Sequence, residues 1–204
     1  MRKAGSKGPS IFFLHGFGSN EQDLFSFSPY LNEDVTIISL RAPISLYPNS
    51  FAWYNIYYSG SVKSYDKEAA KLIKDKLINE MDYFINKYDC DLNRITLIGF
   101  SQGAIISYKL ALLYPSKFEG IFIHSARLPV EYSVKEPSLY KNLNILIIHG
   151  SEDSGLSTKW AYQGKALFEK LGANTDYYEA KIGHEMNEIT YSKIKQWLFS
   201  LVDE

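Results

Sequence analysis

One cysteine, Cys90, is all the thiol chemistry in a chain of 204 residues. An intramolecular disulfide is therefore excluded, and nothing in the cysteine usage points to an oxidising compartment. Cys90 stands between Asp89 and Asp91 with no histidine near it in sequence. A reactive thiolate needs cationic or dipolar neighbours, so Cys90 reads as incidental. Basic blocks are lacking too. Lys and Arg number 22 against 23 Asp and Glu, for a net charge of -1, so neither nucleic acid nor an anionic membrane is favoured as a partner. No apolar run approaches the ~20 residues of a membrane-crossing helix. Residues 11–14, behind a basic start, are too short for the apolar segment of a signal peptide. The expectation is a soluble cytoplasmic protein with no stable membrane insertion. Metal-ligand spacing and nucleotide-loop glycine patterns are absent, so neither metal nor cofactor is expected.

What the chain has is material for a core. Apolar residues make up 46% and charged residues 22%, the balance of a globular protein. Residues 1–204 are expected to form a single domain, with 1–10 as a flexible tail, because no repeat, linker or composition break divides them. The 16 tyrosines are a surplus that suits a lined pocket.

Short apolar runs at 11–14, 35–40, 94–98, 119–124 and 144–149 read as strands, the first of a kind that suits a strand covered on both faces, and 174–181 reads as the last strand. Between them, residues 66–88 show a helical stripe of Ala70, Ile73, Leu77, Met81, Phe84 and Tyr88. Further helices are read at 102–114, at 158–171 before Gly172, and in the last stretch holding Ile194, Trp197, Leu198, Leu201 and Val202. Residues 44–60 read as an irregular aromatic loop, of the kind that is usually functional. Strands alternating with helices imply an α/β fold, a mainly parallel sheet with helices on both faces and right-handed crossovers. The connection from 125 to 142 is too short for a separate lid.

These elements are arranged around Gly99-Phe100-Ser101-Gln102-Gly103. An apolar strand precedes it and a helix carrying Lys109 as its only charge follows, which is the setting of a nucleophile elbow, G-x-S-x-G. Ligands of an open α/β sheet gather beyond the carboxyl ends of its strands, where His15, Ser101, His124, Asp153 and His184 fall. A serine needs a base, and the base needs an acceptor that fixes its tautomer. The order Ser101, Asp153, His184 is the one an α/β-hydrolase uses. His15 is expected to bond within its own loop, and His124 to be a satisfied core residue. His149, four residues from the acid, has poor geometry for a triad. Glu152 competes with Asp153 as the acid; Asp153 is favoured because a shorter carboxylate holds an imidazole with less freedom. Backbone N–H groups of Phe17 and Gln102 are the expected oxyanion donors.

Leu14-His15-Gly16-Phe17-Gly18-Ser19-Asn20-Glu21, Arg41-Ala42-Pro43 followed by Ala52-Trp53-Tyr54, Gly99-Phe100-Ser101-Gln102-Gly103, His149-Gly150-Ser151-Glu152-Asp153 and Gly183-His184 resemble, in order, the phospholipase/carboxylesterase family of serine hydrolases. The resemblance spans roughly residues 10–202 and is similar to acyl-protein thioesterases and small bacterial carboxylesterases. It implies Ser101, Asp153 and His184 as catalytic triad, Phe17 and Gln102 as oxyanion donors, and Trp53, Leu156 and Met186 at the substrate pocket. The chain departs from the family at Ser125-Ala126-Arg127, where Ser-Gly is usual, and at Leu156-Ser157, where Val-Pro is common. It is also short at the front, where leading antiparallel strands would stand.

The reading that follows is a serine carboxylesterase acting on short- to medium-chain esters through an acyl-enzyme, its partner a small-molecule or lipid-like acyl ester. The alternatives are an acyl-protein thioesterase or lysophospholipase for long chains, and a catalytically silent binding protein on the same fold. A homodimer through the aromatic loop is a further alternative.

Overall fold

A computed structural model describes residues 7–31, 34–59 and 62–201. In chain order the elements are β1 (Ser10–Leu14), α1 (Glu21–Phe25), β2 (Thr36–Leu40), β3 (Ile44–Tyr47), β4 (Ser50–Ala52), β5 (Ile56–Ser59) and β6 (Val62–Tyr65). There follow α2 (Lys67–Lys87), β7 (Ile95–Phe100), α3 (Gln102–Leu113), β8 (Gly120–His124), β9 (Asn144–Gly150), α4 (Lys159–Leu171), β10 (Asn174–Ala180) and α5 (Glu188–Ser200). Six strands form one sheet in the order β10-β9-β8-β7-β1-β2, and every neighbouring pair is parallel.

Side-chain alternation divides the core between the two faces. Phe12, Leu14, Leu97, Ile121, Ile123, Ile145 and Ile147 pack with residues of α2, α3 and α4. Ile11, Phe13, Ile98, Phe122, Leu146 and Ile148 pack with Leu24 of α1 and with Ile194 and Trp197 of α5. Both faces are covered, so the strands read as continuous apolar runs rather than as apolar–polar alternation. The helix stripe of α2 falls as its spacing implies, with Ile85 added to the buried residues Ile73, Leu77 and Met81. The Asp66 side chain caps this helix by accepting from Ala69 N–H at 2.9 Å. Gly172, at φ 88°, ends α4.

Two expectations are corrected. The stretch read as an irregular loop forms two antiparallel hairpins, β3–β4 and β5–β6. Asn49 adopts φ 60° between β3 and β4, a conformation that Asn tolerates better than most residues. The expected tail is pinned from residue 7 onward: Lys7 N–H donates to Asp89 O and Asp91 N–H to Gly8 O, and Ser10 already belongs to β1. Residues 1–6 of that tail lie outside the described residues.

Connections leave β1 toward β2 on one side, while β7 leads to β8 on the other. The carboxyl ends of β1 and β7 are therefore the switch point of the sheet, where successive loops diverge and open a crevice. The loop after β1 and the turn after β7 meet there.

Candidate active site

At the end of β7 the chain turns sharply through Ser101, at φ 51° and ψ −113°. This is a strained conformation for a residue with a Cβ, and it lifts the serine side chain out of the sheet. Ser101 N–H donates to His124 O at 2.9 Å, which ties the turn to the neighbouring strand. Glycine on either side is a packing requirement. A Cβ at Gly103 would fall on the Leu14 carbonyl, and one at Gly99 would meet the Ala104 backbone and Ser107 Oγ.

His184 and Asp153 arrive from adjacent loops. Ser151 N–H donates to Ala180 O at 2.8 Å and Glu152 N–H to Ile182 O at 3.0 Å, so the turn after β9 lies against the turn after β10. Asp153 Oδ2 lies 2.7 Å from His184 Nδ1. Its other oxygen, Oδ1, accepts from the N–H groups of Gly155 at 2.9 Å and Leu156 at 2.8 Å. Burial pushes the Asp153 carboxyl up, but the His184 contact and these two amides outweigh it and hold the group below its ordinary value. An ionised Asp153 takes the Nδ1–H of His184 and leaves Nε2 with a lone pair. That lone pair faces Ser101 Oγ at 2.9 Å. Glu152, the rival acid, is exposed. The arrangement can draw a proton from Ser101 toward His184 while Asp153 stabilises the imidazolium.

The two amides expected as oxyanion donors belong to the start of α3 and to the turn after β1. Gln102 opens α3, and the first amides of a helix have no intrahelical acceptor. Phe17 lies in the turn after β1, and its N–H meets no protein acceptor among the described residues. Several contacts fix that turn. His15 Nδ1–H donates to Gly16 O at 2.8 Å, and His15 Nε2 accepts from Ala42 N–H at 3.1 Å. Burial lowers the His15 pKa, which keeps this tautomer neutral. Gly18 N–H donates to Phe51 O and Phe51 N–H to Ser19 O, stitching β4 to the same turn.

The three residues assigned to a pocket have unequal surroundings. Trp53 is only 2% exposed; its indole N–H donates to His15 O at 2.8 Å and its ring lies 5.3 Å from the His15 ring. It therefore forms the wall behind the β1 turn. Leu156 is half-buried in the Asp153 loop. Met186 is half-buried against the core on the α5 side.

Sequence reasoning missed two features. The Gln102 side chain reaches across to the β4–β5 connection, and His149 Nε2 lies 3.5 Å from Asp153 Oδ2 while donating to Leu156 O at 2.9 Å. The four-residue spacing of His149 and Asp153, read only as poor triad geometry, was the available signal for that second contact. His124 is fully buried, with Nδ1 2.9 Å from Ser125 Oγ. Its Nε2 has no protein partner among the described residues, so the expected satisfied core histidine is only half satisfied. Among the described residues no group of three or more His, Cys, Asp or Glu could hold a metal, and no helix is long and apolar enough to cross a membrane.

The sequence pattern of the phospholipase/carboxylesterase family matches residues 2–201. Acyl-protein thioesterase 1 of Schizosaccharomyces pombe is 30% identical over 71% of this chain and 68% of its own length. Acyl-protein thioesterase 1 of Candida albicans is 24% identical over 96% of this chain and 93% of its own. Among solved structures, the Bacillus cereus carboxylesterase superposes with a TM-score of 0.83 at 24% identity, covering 96% of this chain and 92% of that one. Esterase PE8 gives 0.82 at 18% identity, covering 98% and 96%. At such identities the structural likeness speaks for the fold, which is that of the α/β-hydrolases.

Proposed function

The chain belongs to the phospholipase/carboxylesterase family of serine hydrolases, and from that premise we propose that it hydrolyses short- to medium-chain carboxylic esters through an acyl-enzyme on Ser101. The observation that carries this reading is the line of contacts from Ser101 Oγ to His184 Nε2 at 2.9 Å and from His184 Nδ1 to Asp153 Oδ2 at 2.7 Å. Ser101 attacks the ester carbonyl as its proton passes to His184 Nε2. The negative charge that develops on the carbonyl oxygen is received by the N–H groups of Phe17 and Gln102. His184 then protonates the departing alcohol. Water, deprotonated by the same nitrogen, attacks the acyl-Ser101 carbonyl and releases the acid.

The chain-length assignment rests on openness. Residues 130–139, in the segment between β8 and β9 that a lid would occupy, are exposed, and the His184 side chain is 36% exposed. The relatives named acyl-protein thioesterase 1 favour a second reading, thioester or lysophospholipid cleavage on long chains with the same three side chains.

Hydrolysis of p-nitrophenyl esters from acetate to palmitate separates the two, with Ser101→Ala and Asp153→Asn run in parallel. The expected profile peaks at short to medium chains. Ser101→Ala abolishes turnover, and Asp153→Asn lowers kcat by about 10³–10⁴ because His184 loses its fixed tautomer. A maximum at palmitate would move the assignment to the second reading. Folded protein that neither turns over an ester nor labels with a serine-directed fluorophosphonate would be a silent binder instead.

A further inference from the structure

Below the Ser101 turn, a groove of ≈ 390 Å³ runs between α2, α3 and the segment that follows β8. Its link to the proposed site runs through Tyr54 and the start of α3. Tyr54, on its upper wall, has its carbonyl bonded to Gln102 Nε2 at 2.8 Å. Ile105, Lys109 and Leu113 line it and follow Ser101 at successive four-residue steps, which places them on one stripe of α3. With a rise of ~1.5 Å per residue, Ile105 lies about 6 Å and Lys109 about 12 Å along the helix from Ser101.

The charges along this groove are unbalanced. Lys67, Lys71, Lys109 and Arg127 line it, against Glu68 and Glu131. Among the described residues none of these four cations has a carboxylate within 4 Å, whereas Lys74 beside them is paired with Asp75. The imbalance is local, since the chain as a whole carries -1. Lys109 is the only charged residue of an otherwise apolar helix. Its Nζ donates to Ala70 O at 3.0 Å, which holds the ammonium at the groove rather than out in solvent. Arg127 belongs to the three-residue departure after β8. Its guanidinium sits 5.7 Å from the Tyr65 ring centre, presented on a rigid aromatic face.

We propose that this groove is the subsite for an anionic group of the substrate: an ester bearing a carboxylate or phosphate about 6–12 Å from the scissile carbonyl, received by Arg127 and Lys109 with Lys71 at the rim. The inference rests on the esterase reading and narrows its substrate class. The apolar side chain of Ile105, one turn nearer Ser101 than Lys109, suits a short alkyl spacer between the ester and the anion, and the cations suit its end. Arg127 and Lys109 would donate charge-assisted hydrogen bonds to its oxygens.

Two ester pairs test this, one for each side of the scissile bond. p-Nitrophenyl hydrogen suberate is compared with p-nitrophenyl octanoate, and the butyrate ester of 8-hydroxyoctanoate with octyl butyrate; 8-hydroxyoctyl phosphate butyrate distinguishes phosphate from carboxylate. In at least one pair the anionic ester should be preferred by about tenfold, mainly through KM. Salt at 0.5 M should reduce the preference. Arg127→Gln, and independently the exposed-residue change Lys71→Glu, should bring the ratio close to one without altering turnover of the neutral ester; Arg127→Lys should retain most of it. Equal rates within both pairs, or an Arg127→Gln loss shared equally by neutral and anionic esters, would overturn the subsite and leave the esterase standing. Folded protein with no Ser101-dependent turnover of any ester would remove both.

Discussion

Gln102 and Trp53 are joined across the site by a hydrogen bond that owes nothing to either aromatic or nucleophilic chemistry: Trp53 backbone N–H donates to Gln102 Oε1 at 2.9 Å. The same amide donates from Nε2 to Tyr54 O at 2.8 Å. One side chain, 2% exposed, thus satisfies a donor and an acceptor of the β4–β5 connection. Gln102→Leu keeps the bulk but orphans both backbone groups. The expected cost is about 2 kcal/mol, read as a lower denaturant midpoint at unchanged m-value. An unchanged midpoint would mean that the clamp contributes nothing to stability.

Tyr108 illustrates the opposite case. Its ring is fully buried, stacked on Phe168 at 6.0 Å and pressed against Gly164, yet its hydroxyl has no protein partner among the described residues. Removing an unpaired buried hydroxyl removes its desolvation penalty. Tyr108→Phe should raise stability by about 1 kcal/mol in thermal unfolding, with esterase activity unchanged. A decrease in Tm would show that the hydroxyl is satisfied in solution.

Acid sensitivity should be set by a histidine outside the proposed triad. Burial, assisted by the nearby His149 and His184, lowers the His124 pKa to about 3 from an ordinary 6.5. Between those values the unfolded chain binds a proton that the folded chain refuses. This contribution to stability is therefore complete above pH 6.5 and is lost as the pH falls toward 3. At pH 5 the loss is about 2 kcal/mol. His15, also lowered by burial, acts in the same direction. Asp153, held below its ordinary value of 3.8, withdraws its own contribution only in stronger acid. The drop in Tm from pH 7.5 to pH 5 should be smaller in His124→Asn than in the unaltered protein; equal drops would assign the sensitivity elsewhere.

The sheet strands were legible because a strand buried on both faces must be a short run of apolar residues, and residues 144–149 or 119–124 admit little else. The switch point was not, since it follows from a strand order that places β7 beside β1; the sequence located the site only at the carboxyl ends of the strands. The hairpins at 44–65 were not legible either. β3 alternates half-buried with exposed positions and β5 is mostly exposed, and what holds β4 in place is backbone bonding to the turn after β1, which no side-chain pattern records. Around the serine, residue types and their order pointed to Ser101, Asp153 and His184, because nucleophile, base and acid have characteristic neighbours. The supporting contacts of Gln102 and Trp53 escaped because each depends on where a second, distant segment passes, whereas that of His149 is local and its four-residue spacing from Asp153 was the signal. Trp53 was assigned to the pocket on resemblance, and its burial against His15 is a consequence of that second segment.

The parallel sheet also has a history in time. Ser10 pairs with Thr36 on one side and with Ile95 on the other. A chain emerging from the ribosome therefore presents Ile11–Leu14 long before β7 exists to flank it. Until α2 and β7 have been synthesised, this apolar strand has one neighbour and an uncovered face on the side of Phe12 and Leu14. The serine turn, at the end of β7, takes shape only after that interval has closed.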